Sequence, residues 1–232
     1  MKEPTILAMG GGFFGPGGPA LARCIVALCG KKRPRVCIVP TATGDSDALA
    51  LALFEAYAPL GVDLSCVRFF QRTRRDLRAF VLGQDVVHVS GGNTKSMLAV
   101  WRDYGFGAIL REAYQEGIVL CGSSAGSICW FEEGVTDSYA DYLEPLKCLG
   151  FVEGSNCPHY DSEPERRPTF QRLVRERKIA AGVAADDGVG LHYTNGKLAR
   201  AVSALSTAGA YRVCLTDGSV HEEALAVSRL ES

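Results

Sequence analysis

The chain has 232 residues, of which 47% are hydrophobic and 22% charged, and its formal net charge is -1. That composition excludes a disordered chain and is long enough for a large buried core. The near-neutral balance carries no electrostatic footprint for nucleic acid or an anionic membrane surface, and no apolar run reaches the about 18 residues of a membrane span. The N-terminus enters a strand directly, without the apolar segment and cleavage site of a leader, so a cytoplasmic protein is expected. The nine cysteines are scattered, odd in number and without a C-x-x-C pair. They read as reduced thiols, with neither a disulfide framework nor a metal expected.

Thr5–Met9 is a short apolar strand running into Gly10-Gly11-Gly12. The dinucleotide pattern G-x-G-x-x-G with a downstream acid is not cleanly present, so these glycines read as a close-packed loop near a site. Residues 19–29 follow as a helix, Arg35–Val39 as a second strand stopped by Pro40, and residues 45–57 as a helix with an acidic cap. Residues 64–69 form a third strand and 76–82 a short helix. A fourth strand, 85–89, opens into Ser90-Gly-Gly-Asn-Thr94, and residues 94–101 continue as a helix. A helix over 106–115 leads to a buried strand at 118–121. Residues 130–149 read mostly as loop, 165–177 as a charged helix and 179–184 as a strand. Thr194-Asn195-Gly196 marks a hairpin between residues 189–193 and 197–202, and residues 211–215 with Asp217-Gly218 begin another. Alternating strands and helices predict an α/β fold, a mostly parallel sheet sandwiched by helices, with C-terminal β-hairpins. No repeat or linker divides residues 1–232, which read as one domain.

The organising stretch is Gly122-Ser123-Ser124-Ala125-Gly126. It matches the G-x-S-x-G nucleophile elbow, in which a serine on a sharp strand-to-helix turn projects its hydroxyl into open space. The Ala125 amide at the helix start could stabilise an oxyanion, and the Gly91-Gly92 turn would supply a second donor if its strand lies beside the elbow strand.

A serine needs a base. Of four histidines, His88 reads as a core residue, and His192 and His221 as structural or solvated. His159 sits in Asn156-Cys-Pro-His-Tyr-Asp161 at a proline-marked strand end, where a base belongs. Cys157 is near enough to watch. Asp137, between Ser124 and His159 in the chain, is a candidate to orient the imidazole, with Asp161, Asp186 and Asp187 as rivals.

Together, Ser90-Gly-Gly-Asn-Thr94, Gly122-Ser-Ser-Ala-Gly126, Thr136-Asp137 and Asn156-Cys-Pro-His159 resemble the peptidase E family, the aspartyl dipeptidases and cyanophycinases among serine peptidases. The resemblance implies a class I glutamine amidotransferase-like fold, with Ser124 as nucleophile, His159 as general base and no cofactor. It places Asp137 first and Asp187 second as the acidic partner, and maps Gly92 and Ala125 to the oxyanion amides. Asn93 is a candidate substrate contact. The family's aspartate-binding arginine aligns with Thr169 here, and Arg166 and Arg167 lie nearby but out of register. The expected activity is hydrolysis of short peptides, dipeptides with N-terminal aspartate among them. A small esterase or amidase and a non-catalytic binding protein are the alternatives. The exposed faces of the early helices are candidates for a homodimer contact.

Overall fold

The computed structural model describes residues 2–72, 74–139 and 142–231. In the first half, β1 (Thr5–Met9), β2 (Arg35–Val39), β3 (Asp63–Cys66), β4 (Val86–Val89) and β5 (Val119–Ser123) alternate with helices. These are α1 (Gly18–Cys29), α2 (Asp47–Tyr57), α3 (Leu77–Leu82), α4 (Thr94–Asp103) and α5 (Phe106–Gln115). Local chemistry starts three of them. The side chains of Ser46, Asp76 and Asn93 accept from the amides of Leu49, Ala79 and Ser96 at the N-termini of α2, α3 and α4.

The second half comprises α6 (Ala125–Ile128), β6 (Phe131–Thr136), β7 (Glu144–Lys147), β8 (Val152–Cys157), α7 (Arg166–Arg175), β9 (Gly182–Ala185), β10 (Val189–Thr194), β11 (Lys197–Ser203), β12 (Ala210–Thr216), β13 (Ser219–Leu225) and β14 (Val227–Arg229). Residues 130–149 are therefore not mostly loop: they hold β6 and β7. Polar Glu132 and Glu133 interrupt the apolar pattern of β6, but Phe131 and Val135 are buried in the core and the strand pairs with β7 and β8.

Two sheets result. The eight-stranded sheet has the order β14-β11-β10-β1-β5-β4-β2-β3, and the strands from β1 to β3 are all parallel. The six-stranded sheet has the order β13-β12-β9-β8-β6-β7, with β6, β8 and β9 parallel to one another. The two C-terminal hairpins divide between them, β10–β11 joining the first sheet and β12–β13 the second.

Strands β1, β2, β4 and β5 are buried on both faces, which is why they read as continuous apolar runs. One face, with Leu7, Met9 and Ile38, packs on Leu21 and Ile25 of α1 and Leu53 of α2. The other, with Ile6, Val87 and Leu120, packs on α4, α5 and the second sheet through Trp101, Phe106, Leu110 and Trp130. Each such side chain contributes about 1.5–3 kcal/mol on leaving water. His88 is fully buried with Nδ1 2.8 Å from the Tyr57 hydroxyl, in keeping with a core histidine. Among the described residues no helix is long and apolar enough to cross a membrane.

Candidate active site

β5 ends at Ser123 and α6 begins at Ala125, so Ser124 occupies the turn itself. Its backbone lies at φ 56° and ψ -117°, a conformation that costs a non-glycine residue about 1–3 kcal/mol and recurs at functional sites. The turn stays close to β4 because Gly126 has no side chain: a Cβ there would run into the Val89 carbonyl. β4 pairs directly with β5, and a Cβ on Gly91 would lie 3.2 Å from the Ser124 Cβ. The Gly91-Gly92 turn thus sits against the serine. The amides of Gly92 and Ala125 have no hydrogen-bond partner among the described residues, leaving both N–H groups free for an oxygen of a ligand.

The end of β1 and the glycine loop that follows it join the parts. Three successive carbonyls accept from three distant segments: Met9 from the amide of Ser124 at 3.3 Å, Gly10 from that of His159 at 3.2 Å, and Gly11 from that of Gly188 at 3.1 Å. A Cβ on Gly11 would overlap the Asp187 carboxylate and the His159 ring. A second tie links the two motifs, since Ser127 Oγ in α6 donates to Asn156 Oδ1 in β8 at 3.0 Å, both side chains being fully buried.

His159, at φ 54°, follows β8, and its Nδ1 lies 2.8 Å from Asp187 Oδ1. The Asp187 amide in turn donates to Asp161 Oδ1 at 2.9 Å. The hydrogen bond from His159 holds the Asp187 carboxyl below the usual carboxylate range against the opposing effect of partial burial, and Ser162 adds to the lowering. The ionised acid therefore fixes the proton on Nδ1 and leaves Nε2 as the basic nitrogen.

The model of peptidase family S51 matches residues 6–201 of the chain. The chain belongs to peptidase family S51. It is 44% identical over 232 residues to the uncharacterised peptidase YgaJ of Bacillus subtilis strain 168, covering 99% of this chain and 100% of that one. Its fold is shared with a peptidase from an acI-B1 actinobacterium, at TM-score 0.72 and 15% identity, covering 99% and 97% of the two chains. It is shared too with a peptidase E-like protein of Listeria monocytogenes EGD-e, at TM-score 0.60 and 17% identity, covering 97% and 100%.

Within this S51 chain the remaining candidates are dispersed. Asp137 does not meet His159. It follows β6, its side chain is 62% exposed, and Oδ1 lies 3.8 Å from Arg166 Nη2. The parallel order β9-β8-β6 explains this: the residues after these strands share one edge, with His159 in the middle and an acid on either side. The imidazole bonds to the β9 side. Arg166 is buried and engaged by Glu163 and the Val135 carbonyl, and Arg167 is engaged by Glu222. Asn93 caps α4 and donates through Nδ2 to the Ser138 carbonyl at 3.2 Å. Thr169 lines a cavity of about 640 Å³ with Asp137, Glu144, Glu163, Glu165 and Arg172. Ser162, from the loop after His159, lines the same cavity, and Ser138 beside Asp137 is clipped to the Asn93 turn, so the loops after β6 and β8 both border the space. Burial pushes the Cys157 thiol up to about 12, which makes it an inert core thiol.

The glycine pattern by itself marks a close-packed loop near a site, without showing its contact with the His159–Asp187 pair. Three consecutive glycines at a strand end were the available signal. The Ser127–Asn156 bond had none, because it joins side chains of two distant segments. Among the described residues no three His, Cys, Asp or Glu side chains converge as a metal site.

Proposed function

We infer that this S51 peptidase is a serine-type hydrolase of short peptides working through Ser124, His159 and Asp187. The observation that carries the reading is the strained Ser124 elbow tied, through consecutive carbonyls where β1 passes into its glycine loop, to a histidine already paired with a carboxylate. Ser124 Oγ attacks the scissile carbonyl while His159 Nε2 takes its proton. The tetrahedral oxygen accepts from the amides of Gly92 and Ala125. His159 then protonates the leaving amine, an acyl-enzyme forms on Ser124, and a water activated by the same imidazole releases it. Asp187 keeps Nδ1 protonated and stabilises the imidazolium.

The cavity is of a size for a small ligand, and its charge guides the choice of peptide. Asp137, Glu144, Glu163 and Glu165 line it with Arg172, whose guanidinium is 3.2 Å from Glu176; Arg166 pairs with Glu163 and lies 3.8 Å from Asp137, so carboxylates still outnumber guanidiniums around the space. An N-terminal aspartate side chain would meet repulsion there, and Thr169 offers no charge to hold it. Neutral and cationic dipeptides are favoured over acidic ones. The test is a panel of Ala-Leu, Lys-Leu, Glu-Leu and Asp-Leu with the Ser124→Ala protein as blank. Turnover of the first two, absent from the blank, is expected. Hydrolysis of a nitrophenyl ester with no dipeptide cleaved would point to an esterase instead.

A further inference from the structure

The family match ends at residue 201, yet the β12–β13 hairpin beyond it grips the immediate neighbours of both His159 and Asp187. Glu222 of β13 is the centre of this contact. Its carboxylate accepts from the Tyr160 hydroxyl at 2.6 Å, from Gln171 Nε2 at 2.8 Å, and from Arg167 through Nε at 3.2 Å and through Nη2. Tyr160 directly follows His159 and is 2% exposed. Its amide donates to the Ala185 carbonyl at 3.2 Å, and its ring lies 5.4 Å from that of Tyr211 on β12. On the acid side, Gly209 at the foot of β12 makes two bonds to Asp186, the residue before Asp187. The Gly209 amide donates to Asp186 Oδ2 at 2.7 Å, and the Asp186 amide donates to the Gly209 carbonyl at 3.0 Å.

These contacts have a physical reason. His159 holds a left-handed backbone, and such residues persist only where the surroundings over-determine them. A buried tyrosine hydroxyl likewise demands a partner. Burial and then the bond to Glu222 push the Tyr160 hydroxyl up, keeping it a donor. Burial opposes the charge of Glu222, but Arg167, Tyr160 and Gln171 hold its carboxyl below the usual range, keeping it an acceptor.

We propose that the β12–β13 hairpin is a positioning element for the His159–Asp187 pair, acting through Glu222 on Tyr160 and through Gly209 on Asp186. It rests on the reading of that pair as base and orienting acid. The hairpin itself touches no reacting atom.

The experiment compares Tyr160→Phe, Glu222→Ala and Glu222→Gln in the full chain. Tyr160→Phe keeps the ring packing and the Arg167–Glu222 pair, so it is the mildest variant and guards against loss of folding. Two quantities are read: kcat and KM on the best-cleaved dipeptide, and the ring 15N shifts of His159, which report the nitrogen that carries the proton and are assigned by their loss in His159→Gln. Tyr160→Phe and Glu222→Ala should lower kcat about 10- to 100-fold with KM within about twofold, and Glu222→Gln should recover part of the loss. In both losing variants the 15N shifts should move away from the Nδ1-protonated form. Folded variants with wild-type kcat and unmoved shifts would overturn the proposal, as would a loss of kcat that only tracks the melting temperature. If the wild-type protein cleaves no peptide, the functional reading fails and the 15N shifts alone decide: moved shifts support the brace, unmoved shifts overturn it.

Discussion

Asp187 accepts a hydrogen bond from His159 Nδ1 at 2.8 Å across 28 residues of sequence, at the edge shared by β8 and β9. Asp187→Asn should lower kcat about 10³- to 10⁴-fold, because an amide there no longer fixes the productive tautomer. Asp137→Asn should stay within about threefold, since its side chain faces Arg166 and solvent and surface changes away from the reacting groups are usually mild. Steady-state kinetics on one dipeptide compares the two. The reverse ranking would show that the imidazole turns to Asp137 during turnover.

Ser124→Ala should abolish turnover and labelling by a fluorophosphonate while leaving the far-ultraviolet spectrum intact. The serine makes its structural contacts through its backbone, with its amide on the Met9 carbonyl, so removing Oγ leaves the turn in place. Residual turnover equal to wild type in the purified variant would end the serine mechanism.

Gly11→Ala isolates the close approach of the glycine loop to the pair. The added methyl has to displace either the His159 ring or the Asp187 carboxylate. A misplacement of that order should lower kcat about 100-fold. The substituted chain is expected to fold, and its kcat against that of Gly11→Ser, with a larger side chain, gives the graded response. Wild-type rates in both would mean that the pair can shift without loss.

Acid stability should carry the signature of His88. Burial without solvent drops its pKa to about 3, and Nε2 has no partner among the described residues. The unfolded chain, titrating near 6.5, binds a proton that the folded chain refuses between those values. Stability from this group is therefore full above about 6.5 and is lost as pH falls toward 3, at up to about 1.4 kcal/mol per pH unit. Urea unfolding at pH 4, 5, 6 and 7 should show that slope in the wild-type protein and a flatter one in His88→Gln. Equal slopes would assign the acid sensitivity elsewhere. Asp187 works in the same direction at lower pH: its depressed carboxyl stabilises above the unfolded value of about 3.9, and that contribution disappears as pH falls through the folded one.

Substrate charge should show in KM. Lys-Leu and Ala-Leu are expected to be cleaved with a kcat/KM at least about tenfold above Asp-Leu, a discrimination of about 1.4 kcal/mol between opposite charges in a cavity facing four carboxylates. Exchanging Glu144 and Glu165 for glutamine, with Glu163 left on the buried Arg166, should narrow the gap. A clear preference for Asp-Leu would mean that Arg172 leaves Glu176 to bind substrate.

Much of this protein is local and so was written in the chain itself. The doubly buried strands are short apolar runs, α3 begins at Asp76, and the serine turn is set by small residues within five positions. Only neighbouring residues are needed to specify such features. By contrast, α2 is capped by Ser46 and not by the expected acid, since Asp45 accepts from the Phe69 and Phe70 amides. β6 is hidden in the sequence because Glu132 and Glu133 interrupt its apolar pattern, and the strand is held by its pairing within the second sheet. Tertiary structure alone sets which carboxylate the imidazole meets. Asp137 and Asp187 follow parallel strands on either side of β8, and nothing in their local sequence separates them. The choice lies where β1 passes into the glycine loop: the consecutive carbonyls of Met9, Gly10 and Gly11 hold the Ser124, His159 and Gly188 amides, and the bare Gly11 leaves room for the imidazole to meet Asp187. That arrangement depends on the packing of two sheets, a long-range condition that no window of sequence contains.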